Sequence, residues 1–171
     1  MDTKTCRLFA EYNRATNRKM DALIGNLDPD QWVRDFGGYF SSIRSLCNHL
    51  YICDFNWLKR FSGARTFSFI QDPVFRHDLK FGTTVLGDIA TYREKRLGLD
   101  GLILDFVDEL GAEDMDRRFS YSDSSGSPQD RILGGAILHF FNHQTHHRGM
   151  VSIYLESLGI ENDFCDLIEL A

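Results

Sequence analysis

The stretch that decides the fold spans residues 139–150 and reads HFFNHQTHHRGM. Four of the six histidines of the chain lie within nine residues of this stretch. On a helix with about 100° per residue, His143 lies at the centre of an apolar stripe, and His139 and His147 flank it one turn away. The other members of that stripe are Ile132, Ala136, Met150 and Tyr154. The spacing therefore predicts a helix whose imidazoles face the protein core instead of the solvent.

Histidines four residues apart on a helix can bind the same metal ion. Their Cβ atoms lie about 5–6 Å apart, and two metal–imidazole bonds of about 2.0–2.1 Å fit between the rings. The pair His139 and His143 has this spacing, and so does the pair His143 and His147, so that spacing alone does not select the ligands. The alternative is a set of core or surface histidines that are satisfied by hydrogen bonds. A metal site also needs a third ligand from elsewhere in the chain.

Two segments resemble the DinB-like family of metal-binding helical bundles. Residues 142–149, NHQTHHRG, match the family's N-H-x-x-x-H-R-G segment, which lies on the last long helix and supplies two ligands; the resemblance thus nominates His143 and His147. Residues 48–57, NHLYICDFNW, resemble the family's second-helix segment and nominate His49 as the third ligand. Taken alone, His49 would be read as a core or helix-face histidine.

The resemblance covers nearly the whole chain in order and length. It implies a single domain over residues 1–171, folded as a four-helix bundle with a long crossover connection between helices 2 and 3. It also implies a homodimer, because bundles of this family often pair, and the fourteen phenylalanines could include an exposed apolar patch. The chain departs from the family at Met150, where glutamine is usual, and any polar role of that glutamine is therefore in doubt here.

Helical apolar spacing in four long segments predicts an all-α protein. The predicted helices cover residues 3–27, 42–61, 84–110 and 130–158, and a short helical turn follows Pro29. Asp130 is the expected cap of the last helix, and Gly159 is expected just beyond its end. Residues 62–82 lack periodicity and carry four phenylalanines, which favours packing on the core over a lid. Phe119 and Tyr121 alternate with polar residues, as in a short strand or hairpin arm.

Charge and composition exclude several classes of function. The net charge is −6, from 19 basic and 25 acidic residues, and no basic stripe is present, which counts against a nucleic-acid partner. The four cysteines, Cys6, Cys47, Cys53 and Cys165, form no C-x-x-C pair, as expected of reduced thiols in an intracellular protein. The beginning of the sequence has no apolar signal region, and no run approaches the roughly 20 apolar residues of a membrane span. We therefore expect a soluble, cytoplasmic protein without a membrane partner.

Three neutral imidazoles leave at least one open position on a divalent ion, as in catalytic zinc sites. Zinc is the favoured metal, and nickel or iron are alternatives because imidazole also binds those ions. The resemblance implies that some relatives transfer low-molecular-weight thiols onto electrophiles, with the metal activating the sulfur. We therefore predict a metal-dependent enzyme that acts on a small molecule, by thiol transfer.

Two other functions stay open from the sequence. One is a metal-dependent hydrolase, and the other is a non-catalytic, metal-stabilised module for binding or stress response. No serine or cysteine lies in a hydrolase motif, so a metal-bound thiol or water is the expected reactive group. Arg148 could bind an anionic substrate, but a solvated or interhelical arginine is the preferred interpretation. His146 and His77 are not expected to bind the metal.

Overall fold

The described part of the computed structural model, residues 1–164 and 166–170, contains five α-helices, four short 3₁₀ helices and one short hairpin. Cys165 and Ala171, and the prediction of a reduced Cys165, lie outside the described residues. The helices are α1 Thr3–Ile24, α2 Pro29–Val33, α3 Ile43–Phe61, α4 Ile89–Asp108 and α5 Leu133–Ser157, and the strands are β1 Arg118–Ser122 and β2 Pro128–Ile132. The chain is mostly helical, as predicted, but it also contains this two-stranded antiparallel sheet. No helix in the described residues is long and apolar enough to cross a membrane.

Helix α3 begins where the sequence predicted it. The Ser42 hydroxyl accepts a hydrogen bond from the Ser45 backbone N–H, and the Ser45 hydroxyl accepts one from the Ser42 N–H. This reciprocal arrangement satisfies two donors that a helix start otherwise leaves unpaired. It fixes the first turn of the helix that carries His49.

Helix α4 begins five residues later than predicted, at Ile89 instead of residue 84. Its cap is Asp88, whose carboxylate accepts a hydrogen bond from the Thr91 N–H at 2.7 Å. The apolar spacing was misleading because Leu86 is fully buried although it lies in the connection before the helix. The helix then continues through Gly98 without the break that its glycines suggested.

The start of α5 also corrects a prediction. Asp130 does not cap this helix, because it lies in strand β2, pairs with Ser120 and forms an ion pair with Arg118 at 3.0 Å. The helix begins at Leu133, directly after the hairpin, without a side-chain cap.

The end of α5 agrees with the prediction for Gly159, which has a φ of +76°. The Gly159 N–H donates to the Glu156 carbonyl at 2.8 Å, and the Ile160 N–H donates to the Leu155 carbonyl at 3.0 Å. These two bonds form a Schellman motif, in which glycine is favoured at the left-handed position.

The four long helices pack so that α1 contacts α4 and α5, and α3 contacts the same two helices. The long connection between α3 and α4 lies against them, with Phe67, Phe69 and Phe75 buried as predicted, whereas Phe81 is 44% exposed. Helix α3, which carries His49, is therefore a direct neighbour of helix α5, which carries the histidine cluster.

A buried polar network joins these helices. The Arg96 guanidinium of α4 lies between Asp54 of α3 and Asp100 of the same helix, at 2.7 Å from each carboxylate. Asn17 of α1 donates to Asp100 at 2.9 Å, and Gln144 of α5 donates to Asp54 at 3.0 Å. Burial raises the pKa of both carboxyls, and the arginine opposes that rise. The network therefore depends on Arg96 to hold two buried carboxylates in their charged form.

Replacing Arg96→Ala should lower the free energy of unfolding by about 3–5 kcal/mol, because two buried carboxylates lose their cation. The matched control is Arg93→Ala, on the same helix, where the lost ion pair with Asp21 involves an arginine side chain that is 54% exposed. That control should cost about 0.2–1 kcal/mol. Urea unfolding followed by circular dichroism measures both values, and equal losses in the two variants would contradict the role assigned to the network.

Candidate metal centre

Three imidazole nitrogens converge between α3 and α5. The Nε2 atom of His49 lies 3.2 Å from Nε2 of His143 and 3.1 Å from Nε2 of His147. Two nitrogens that bind one tetrahedral ion at about 2.0–2.1 Å are themselves about 3.3 Å apart. The observed separations are thus close to those of nitrogens that share a metal ion, and the donor set fits the group that the sequence predicts.

The electrostatic surroundings keep these imidazoles neutral. Burial, together with a smaller contribution from neighbouring histidines, lowers the pKa of His49, of His143 and of His147 to about 4 each. Each ring is therefore uncharged at neutral pH and has one nitrogen lone pair, as a metal ligand requires. The three rings would repel one another if they were protonated.

Aromatic packing, more than hydrogen bonding, orients the rings. The Phe40 ring lies 4.3 Å from the His49 ring and meets the His147 ring edge-on at 5.5 Å. The Nδ1 atoms of His143 and His147 have no hydrogen-bond partner among the residues that the structure describes. Asn142 and His146, which are near enough in sequence to serve, do not bond to these atoms. Rings from outside α3 and α5 thus hold the imidazoles in place.

Cys53 is a further candidate ligand that the sequence analysis did not select. It lies one turn after His49 on α3, and its sulfur is 3.5 Å from Nε2 of His49. His49, Cys53 and His143 form a group of donor atoms within 4.8 Å of one another that could hold a metal ion. Burial raises the pKa of the Cys53 thiol to about 12, so that the thiol is protonated without a metal. The i, i+4 spacing from His49 was the signal that could have identified it.

The remaining histidines are not among the convergent nitrogens, although the His146 ring meets the His147 ring edge-on at 4.8 Å. His139 is exposed and packs edge-on against Trp57 at 5.4 Å. His146 is also exposed, on the outer side of α5, and His77 is exposed on the connection between α3 and α4. Between the two pairs with equal spacing, the structure thus places His143 and His147 together with His49.

Arg148 makes interhelical contacts. Its side chain is 2% exposed, donates a hydrogen bond to Asn13 of α1 and lies over the Tyr12 ring at 5.4 Å. This arrangement agrees with the interhelical interpretation and leaves the guanidinium no surface on which to meet an anionic substrate.

A cavity of about 570 Å³ opens beside the candidate ligands, and His49 and Cys53 form part of its wall. Aromatic rings line it from two directions: Tyr39 and Phe40 precede α3, and Phe81 belongs to the connection. A volume of this size accommodates a small organic molecule. His49 and Cys53 are thus accessible to a small molecule in this cavity.

Asn48, next to His49, fixes the wall of this cavity. Its side-chain oxygen accepts hydrogen bonds from the N–H groups of Val85 at 2.7 Å and Leu86 at 2.9 Å. Its amide nitrogen donates to the Leu86 carbonyl at 3.1 Å. The residue that precedes a candidate ligand therefore holds the end of the connection against α3.

Comparisons with known proteins show what this chain is similar to. The model of the DinB family matches residues 1–171. Protein DinB of Bacillus subtilis (strain 168) is 23% identical to this chain over 149 residues, which cover 87% of this chain and 83% of the relative. The family match includes the segments of α3 and α5 that carry the convergent histidines.

Proposed function

Since the chain belongs to the DinB family, we propose that it binds one divalent transition metal through His49, His143 and His147. The proposed function is a metal-dependent reaction on a small molecule, namely the transfer of a thiol sulfur to an electrophile. The observation that carries the proposal is the position of the His49 Nε2 atom, which lies 3.2 Å from that of His143 and 3.1 Å from that of His147, at the wall of a cavity.

Cys53 offers a second ligand set with His49 and His143. We place His147 in the set because its nitrogen is already uncharged and lies 3.1 Å from the His49 nitrogen. The Cys53 thiol, with its pKa of about 12, would first have to release a proton. In both sets, the ligands come from α3 and α5.

The favoured ion is zinc, and nickel and iron are alternatives with the same imidazole preference. A divalent ion held by three neutral ligands acts as a Lewis acid and lowers the pKa of a thiol that binds to it. The protein contributes the remaining requirements through its own residues. Phe40 and Phe81 provide apolar walls of the cavity, and the buried bonds of Gln144 and Arg148 fix the helix that carries His143 and His147.

The proposal also includes the arrangement of the long helices. We assign α1, α3, α4 and α5 to a four-helix bundle, and residues 62–88 to its crossover connection. The support is the packing of each long helix against two others.

The proposal includes a homodimer, which rests on family membership and on apolar side chains exposed along α5, such as Leu138 and Ile153. Sedimentation equilibrium at high protein concentration should give twice the chain mass of 19.7 kDa. A single species at the chain mass would remove the dimer from the proposal.

Replacing His143→Ala or His49→Ala should abolish the binding of one zinc ion per chain. Loss of even an outer partner of a ligand commonly costs 10–100-fold in affinity, so that loss of a ligand should cost at least about 100-fold. Elemental analysis after dialysis against limiting zinc measures the stoichiometry. If His49→Ala kept one metal per chain with unchanged affinity, the set of three ligands would be wrong.

The controls for this experiment are His146→Ala and His77→Ala, which should both retain the metal. His147→Ala and Cys53→Ser separate the two ligand sets. The proposal expects weak binding in the first of these variants and unchanged binding in the second, whereas the opposite result would assign the third position to Cys53.

The metal-loaded protein should accelerate the reaction of a small thiol with 1-chloro-2,4-dinitrobenzene, in which a carbon–sulfur bond replaces the carbon–chlorine bond and chloride and a proton leave. Chelation should abolish the acceleration, and added zinc should restore it, as followed by product absorbance. Activity that persists undiminished after confirmed metal removal would contradict the proposed chemistry. Metal binding without thiol transfer would leave the hydrolase or the non-catalytic module as the function.

A further inference from the structure

The cavity beside His49 lies next to a second one of about 560 Å³, and the two share Phe81 and Ser124 in their walls. We call the combined space the cationic groove. Its basic residues are Arg44 in the first cavity and Lys59, Arg60 and Lys80 in the second, whereas Asp78 is its one acidic residue. The groove is therefore locally positive, although the whole chain has a net charge of −6.

The charges of the groove are largely unpaired. Lys59 forms an ion pair with Asp78 at 2.5 Å. Arg44, Arg60 and Lys80 form no ion pair with any carboxylate in residues 1–164 and 166–170. Arg60 instead lies over two aromatic rings, at 5.0 Å from each ring centroid. Unpaired cations in a concave site attract an anionic ligand.

Arg44 differs from the other two unpaired cations of the groove. It lines the same cavity as His49, is half-buried on the first turn of α3, and has neither an acidic nor an aromatic partner for its guanidinium among the described residues. A partly desolvated guanidinium is stabilised by an oxyanion such as a carboxylate, to which it can donate two parallel hydrogen bonds.

The cavity also provides apolar surface next to Arg44. Tyr39 is 94% exposed and packs edge-on against Phe40, and Phe81 is 44% exposed on the opposite wall. Large exposed rings of this kind are commonly used for ligand contact. The walls thus suit a ligand with a short apolar segment between its two polar ends.

We propose that Arg44 is a specificity residue which selects small thiols that bear a carboxylate. The sulfur of the ligand lies toward His49 and His143, its apolar segment lies against Phe40 and Phe81, and its carboxylate pairs with Arg44. This inference rests on the proposed metal-dependent function, because the metal receives the sulfur.

The test uses three thiols of similar size and different charge: 3-mercaptopropionate, 3-mercapto-1-propanol and cysteamine. Each is titrated into the cobalt-loaded protein, and sulfur-to-cobalt charge-transfer absorption reports binding. The anionic thiol should bind about tenfold more tightly than the neutral one, a difference of about 1.4 kcal/mol. The cationic thiol should bind least tightly, and the preference for the anion should weaken as salt is added.

Arg44→Ala should remove the preference for 3-mercaptopropionate and leave the affinity for 3-mercapto-1-propanol unchanged. Arg44→Lys should keep part of the preference, because it retains the charge without the bidentate geometry. The matched control is Arg14→Ala, which changes the net charge equally at a half-buried arginine of α1 that lines neither cavity. A wild-type protein without the preference, or a preference that Arg44→Ala leaves intact, would overturn the inference.

A failure of the proposed metal-dependent function can be distinguished from a failure of the Arg44 subsite. If the protein does not bind cobalt, the metal site is wrong, and the same thiols are compared on the unloaded protein by isothermal titration calorimetry. A preference for the anion that Arg44→Ala removes would then keep the anion subsite without the metal. Equal heats for anionic and neutral thiols in the wild type would remove the subsite as well.

Discussion

The position of the candidate metal centre depends on the buried hydrogen bonds and ion pairs around Asp54. This carboxylate receives Arg96 from α4 and Gln144 from α5, at 2.7 and 3.0 Å. Gln144 directly follows His143 in sequence, and Asp54 lies five residues after His49. The hydrogen bond from Gln144 to the buried Asp54 carboxylate thus fixes the position of α5 along α3. Ligands from different helices bind one ion only when their positions are fixed to within about 0.5 Å, and a buried polar bond provides this precision because it cannot shift without leaving a charge unpaired.

The residues of the α5 motif lie on two adjacent faces of the helix. Metal binding would account for only one of these faces. His143 and His147 are four residues apart and point toward His49 of α3. Gln144 and Arg148 have the same spacing but are rotated by about 100°, so they point into the buried network. One face presents the candidate ligands, and the adjacent face fastens the helix to its neighbours. The arginine of this segment therefore acts on the site indirectly, by anchoring the helix, and a substrate does not need to reach it.

The parts of the fold that could be predicted from the sequence are those decided within a few residues. Ser42 and Ser45 cap α3 by themselves, and Gly159 ends α5 by its own backbone conformation. The wrong boundaries have non-local causes. Leu86 fits helical spacing, yet Asn48 holds it in the connection from 38 residues away. Aspartate is a common helix cap, yet Asp130 pairs with Ser120 in the hairpin.

The same limit applies to the site. Spacing selected the helix face of the histidine cluster but could not choose between His139 and His147, and only the family resemblance favoured His147. The spacing of Cys53 from His49 was a signal in the sequence, but its proximity to His143 exists only once α3 and α5 pack together. The ligand set itself stays a prediction.

The connection between α3 and α4 is anchored at both ends, so its middle can change without a change in the histidines of α3 and α5. Phe75 is buried at one end of the segment, and Asn48 clamps Leu86 at the other, while nearly all residues between them are exposed. Doubling the length of a flexible loop with fixed ends costs only about 0.6 kcal/mol of closure entropy. Insertions and substitutions in residues 76–84, which include Phe81, can therefore remodel one wall of the cavity at little thermodynamic cost. Specificity can thus vary through this loop while the histidines stay in place, much as antibody loops vary on a constant framework.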